Sequence, residues 1–75
     1  MVRTREYLKQ FYSDEHIDHE IERVKNAEFG KPVFNMFDKE NDELIVSILD
    51  LAGVSYKRKK IQGMVFFIKV QPKDN

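Results

Sequence analysis

The sequence predicts an α+β domain in which two N-terminal helices precede a β-α-β-β unit with a three-stranded sheet. Three observations carry that prediction. Residues 54–61 include four consecutive cations, Lys57, Arg58, Lys59 and Lys60, and run through Gln62-Gly63 into residues 64–70, which are apolar on both faces. Four cations suit an edge strand and the apolar run suits a central one, so the two form a hairpin with the last strand inside the sheet. Residues 44–52 carry apolar side chains at helical spacing, and Gly53 follows as a terminator. Finally, 75 residues that are 41% hydrophobic, with six Phe and three Tyr, hold enough large side chains for one compact core.

The elements follow in order. Thr4 is placed to cap a short helix whose Tyr7, Leu8 and Phe11 form a small apolar face. Ser13 offers a second cap, with Asp14 and Glu15 in the first turn, where negative charge suits the helix dipole, and Ile17, Ile21 and Val24 form one stripe. That helix is expected over residues 14–28, ended by Gly30 and Lys31-Pro32. Residues 33–37 are aromatic and apolar enough for a strand, after which Asp38 or Asn41 caps the third helix. In that helix Leu44, Ile45, Ile48, Leu49 and Ala52 define the expected core face. Residues 70–75 read as a frayed tail of this single domain, 1–75.

With the last strand central, the first strand lies on its other side and antiparallel to it, giving the spatial order β1-β3-β2 for strands 33–37, 54–61 and 64–70. Phe66 and Ile68 are expected to be buried. Because Val65 and Phe67 point away from Met64, Phe66 and Ile68, helical cover is expected on both sheet faces. The same element order fits a winged helix, with the hairpin as its wing.

Composition narrows the classes of function. No cysteine is present, which removes disulfides and thiolate metal sites and leaves the cytoplasm as the default compartment. Neither a signal peptide nor a membrane span is expected, since the most apolar stretch is broken by Ser47 and Asp50. Net charge is zero, yet residues 1–50 hold 7 basic and 12 acidic side chains, so the two parts of the chain stand at −5 and +5. Such a division serves solubility first. It can also steer a partner or bring about head-to-tail homo-oligomers.

The basic strand is the first candidate site. Tyr56, Arg58 and Lys60 share one face of it, Lys57 and Lys59 the other, and the five together could lie along nucleic-acid phosphates. Guarding an edge against strand addition is the plainer role for the same cations. A winged-helix reading meets an obstacle in the helix before the hairpin, whose only charges, Asp42, Glu43 and Asp50, would repel DNA.

His16, His19 and the neighbouring Glu20 lack both a zinc-protease spacing and a third distant ligand, so a solvated helix face is expected and no metal is assigned. For catalysis, no Gly-rich phosphate loop is present, and Ser13, Ser47 and Ser55 have no motif around them. A metal-dependent nuclease strand of the form acid-x-Lys would need an acid where Phe67 stands. No enzyme and no cofactor is therefore expected.

The acidic segments 14–28 and 38–50 each carry a net −4. Solvation accounts for much of that charge, and docking on a basic site of another protein is its functional reading. The sequence thus points to a small non-enzymatic regulatory or inhibitor module that binds another protein through Asp18, Glu22, Asp42 and Glu43. The alternative is a nucleic-acid-binding module using Tyr56, Lys57, Arg58, Lys59 and Lys60.

Overall fold

The computed structural model describes residues 5–72, so the Thr4 cap and the last three residues of the expected tail lie outside the described residues. Six elements follow one another: α1 (Arg5–Leu8), α2 (Asp14–Asn26), β1 (Pro32–Phe37), α3 (Glu43–Ala52), β2 (Ser55–Ile61) and β3 (Met64–Val70). The strands form one antiparallel sheet in the order β1-β3-β2, as the hairpin chemistry predicts. Val70 pairs with Ser55 and belongs to the strand, so the ordered sheet reaches one residue into the expected tail.

The connection between β2 and β3 is two residues long, and Gln62 (φ 49°) and Gly63 (φ 80°) both adopt the left-handed backbone of a type I′ turn. Its twist matches that of the flanking strands, which keeps the seven-residue pairing in register from Ile61↔Met64 to Ser55↔Val70.

Local chemistry fixes the helices. Ser13 Oγ accepts the His16 amide at 3.1 Å and starts α2 as expected. The helix ends at Asn26, two residues short of the expected limit, where Ala27 turns to extended backbone (φ −68°, ψ 150°) and the carbonyls at the helix end find another partner. Lys69 Nζ, on a residue only 5% exposed, donates to the Lys25 and Ala27 carbonyl oxygens at 2.7 and 2.9 Å. An ammonium at a helix C-terminus satisfies orphan acceptors and complements the dipole. Asn41 Oδ1 accepts the Glu43 amide at 2.8 Å and opens α3, and Gly53, at φ 70°, closes it with its N–H directed to Asp50 and Leu49.

The core forms between the helices and one face of the sheet. Leu8, Ile17, Val24, Leu49 and Phe67 are wholly enclosed, joined by Val33, Met36, Val46, Ile48 and Ala52. The buried side of α3 is wider than predicted and turned relative to it, with Val46 and Ser47 inside and Leu44 and Ile45 only half-buried. Ser47 satisfies its hydroxyl by donating to the Glu43 carbonyl oxygen at 2.7 Å. Phe11 is 55% exposed, contrary to expectation, since α1 stops at Leu8 and leaves Phe11 in the following turn, edge-on to Tyr7 at 5.5 Å.

The expectation for β3 is also corrected. Phe67 is fully buried, whereas Phe66 and Ile68 are half-buried on the opposite face. Among the described residues no core contact covers that second face: Met64, Phe66, Ile68 and Val70 are absent from those that form the core or pack against it. Among the described residues the helices lie on one side of this sheet, the four-residue α1 packing on α3, and none covers the other side.

Candidate functional site

Residues directly opposite one another in an antiparallel pair share a face, so the register divides the sheet. Tyr56, Arg58 and Lys60 lie opposite Lys69, Phe67 and Val65 on the covered side, and Lys57 and Lys59 lie opposite Ile68 and Phe66 on the open side. The alternation read from the sequence is therefore correct, and it splits the four consecutive cations into two pairs with different fates.

On the covered side the cations are matched internally. Arg58 forms an ion pair with Asp42 and sits 5.2 Å from the centroid of the Phe67 ring, and Lys60 Nζ is 2.9 Å from Asp38 Oδ2. Tyr56 packs its ring 5.8 Å from that of Phe67. One residue of the acidic candidate, Asp42, is thus the partner of one residue of the basic candidate, Arg58. The division of charge along the chain is partly cancelled when the loop before α3 folds beside the hairpin.

The other acidic candidates are also engaged, with one exception. Asp18 takes a hydrogen bond from Arg5, which with a second contact to Asp14 ties α1 to α2 and raises the Arg5 pKa above its ordinary value, the bond to Asp18 being the main cause. Glu43 Oε2 accepts the Tyr7 hydroxyl proton at 2.9 Å. Glu22 alone is exposed with no ion pair among the described residues, beside a shallow hollow it shares with Arg5, Ile21 and Lys25. The four acids do not converge on one surface.

On the open side Lys57 and Lys59 make no ion pair among the described residues. They flank a central column of Met64, Phe66, Ile68 and Val70. Phe37 and Ile61 stand on either side of Met64 and are 63% and 46% exposed. Asn35 lies opposite Phe66 on the far flank. This is a continuous apolar surface with one cationic border.

The free edge of β1 is occupied at both ends, at Val33 and at Phe37. Arg23 Nη1 donates to the Val33 carbonyl oxygen at 2.9 Å, and Glu40 accepts the Phe37 amide on Oε2 at 3.2 Å while its own amide donates to the Phe37 carbonyl oxygen at 3.0 Å. Arg23 is itself held by Glu20 at 2.9 Å and stacks 4.7 Å from the Phe34 ring centroid. Hydrogen bonding to Arg23 lowers the Glu20 pKa against the opposing effect of burial.

His16 stacks on Tyr12 at 4.6 Å, and no group of three or more His, Cys, Asp and Glu side chains is arranged to hold a metal ion among the described residues. Helix α3 presents little surface to a nucleic-acid groove, because Val46, Ser47, Ile48, Leu49 and Ala52 are buried. Among the described residues no helix is long and apolar enough to cross a membrane.

The open face escaped the sequence reading because Phe66 and Phe67 are equally apolar and nothing in their neighbours says which points inward. One clue was present: one short and two medium helices are too few to cover two faces of a three-stranded sheet. Comparison with protein-family models, with curated proteins and with solved structures finds no match for this chain.

Proposed function

We propose that this chain is a non-enzymatic binding module that docks on another protein through the open face of its sheet, with Phe66 at the centre. The observation that carries this reading is the apolar column Met64, Phe66, Ile68 and Val70, which no helix among the described residues covers. Contiguous exposed apolar surface is uncommon on monomeric domains and marks places where contact area is gained on association. Phe37 and Phe66 supply aromatic anchors of the kind that dominate binding energies, and Lys57 and Lys59 supply a polar border.

This reading keeps the protein partner that the sequence suggests and moves the contact from the acidic helices to the sheet. Asp18 and Asp42 are already paired with Arg5 and Arg58, and Glu43 accepts a hydrogen bond from Tyr7, so the three offer a partner less than their number implies. A nucleic-acid strand is the second reading, favoured by the two unpaired lysines beside Phe66, on which a base could stack.

Affinity capture from native cells tests the choice. Replacing Phe66 and Ile68 by Thr, which suits a strand, is expected to abolish capture of the partner while the melting curve stays cooperative. Asp18→Lys with Glu22→Lys is expected to leave capture intact. Loss of the partner in the second variant and not in the first overturns the proposal, and copurification of nuclease-sensitive material with the unaltered chain favours the second reading.

A further inference from the structure

We infer that the occupant of the open sheet face is an amphipathic helix of another protein, carrying acidic residues along one flank of its apolar stripe. The inference rests on the docking reading above and adds the chemistry of the partner.

Shape and charge both point to it. The seven residues of β3 extend about 23 Å. A helix of about 15 residues spans the same length, and its width of about 10 Å matches the distance between the two outer strands. An apolar stripe laid along β3 would meet Met64, Phe66 and Ile68 in turn. Lys57 and Lys59 then stand along one side, about 7 Å apart on their strand, close to the rise of about 6 Å between helix positions i and i+4. Carboxylates at two such positions reach both ammonium groups at once. Across the column the border is Asn35, which is neutral, so the match calls for acids on one flank only.

The same details disfavour other occupants, beginning with a strand added at the outer edge of β2, where the four consecutive cations Lys57, Arg58, Lys59 and Lys60 guard against pairing. Among the described residues the open face carries no acid, so two copies placed face to face set Lys57 and Lys59 either against themselves or against Asn35 and Phe37, with no countercharge from the strands in either arrangement. A strand added at β1 meets backbone groups already taken by Arg23 and Glu40. Addition over the face remains, and a helix is the element that covers a bare sheet face.

The test uses two synthetic helical peptides of about 16 residues with the same Leu stripe, one with Glu and one with Lys along a single flank, and a single-stranded oligothymidylate. Each is titrated into the full chain by fluorescence anisotropy, with amide chemical shifts locating the contact. The Glu-flanked peptide is expected to bind about ten-fold more tightly than the Lys-flanked one, and to shift the amides of β3. Lys57→Glu with Lys59→Glu is expected to reverse that order, and Phe66→Thr with Ile68→Thr to weaken both peptides.

Equal binding of the two peptides, or an order unchanged by the lysine reversals, overturns the acidic helix and leaves the docking face standing. Binding of both peptides that is indifferent to the Phe66 and Ile68 changes overturns the face itself. Preferential binding of the oligothymidylate on β3, or a concentration-dependent dimer that those Thr changes dissolve, assigns the face to a nucleic-acid strand or a second copy and overturns the helix.

Discussion

Phe66 and Phe67 are adjacent in the chain and lie on opposite faces of the central strand, one against a half-open surface and the other at zero exposure in the core. Phe67 touches the Tyr56 ring and lies beneath the Arg58 guanidinium, so its loss leaves a cavity that those groups cannot fill. Phe67→Ala is expected to cost about 3–5 kcal/mol and Phe66→Ala about 1 kcal/mol, read from urea denaturation of each variant. A larger loss for Phe66 would mean that the packed and open faces have been exchanged.

Lys69 offers a second comparison among lysines of the hairpin. Its ammonium closes the end of α2 through the Lys25 and Ala27 carbonyls and lies 4.9 Å from the Phe29 ring centroid. Lys69→Met keeps the apolar stem and removes the donors, at an expected cost of about 1–3 kcal/mol from the unpaired carbonyls. Lys57→Met and Lys59→Met should each change stability by less than about 0.5 kcal/mol. Thermal melts of the three variants check the contrast, which disappears if all three behave alike.

The turn supplies a stabilising change. Gln62 occupies a left-handed conformation that Asn adopts more readily, and Asn-Gly is the pair best suited to a type I′ turn. Gln62→Asn is expected to raise stability by about 0.5 kcal/mol without altering the hairpin register. Equilibrium unfolding with an unchanged denaturant slope is the readout, and a drop in stability would refute the turn geometry.

Acid should loosen the attachment of α2 to the β1 edge. The Glu20 pKa is depressed in the folded chain by its bond to Arg23, so its contribution is complete above the unfolded value, near 4.3, and is lost as pH falls through the lower folded value. Stability measured from pH 6 down to pH 2 should decline less steeply in Glu20→Gln than in the unaltered chain. Parallel curves would show that Glu20 has the same affinity for protons in both states.

Much of the fold was legible because separate lines of chemistry agreed. The cationic run, the turn residues and the apolar run specify a hairpin, and the helical spacing before Gly53 specifies the crossover, which together yield β1-β3-β2. The inward face of β3 was hidden, and Lys69 worked against it. A lysine normally marks the solvent side of a strand, whereas this one points inward because the Lys25 and Ala27 carbonyls at the end of α2 await it. The candidate sites were legible as residues but not as pairs, since only folding brings Asp42 to Arg58 and Asp38 to Lys60. Lys57 and Lys59 were legible as half of a basic strand, but their separation from the other two cations depended on which face the helices cover.

The central position of β3 also governs how the domain must be made. β1 and β2 share no ladder, and each is held in the sheet only through Met64–Val70. During vectorial synthesis both therefore wait, unpaired, for the strand that emerges after them. A chain that stopped anywhere between Ile61 and Met64 would hold two strands with no template between them, so the sheet stands or falls with the last strand to be made.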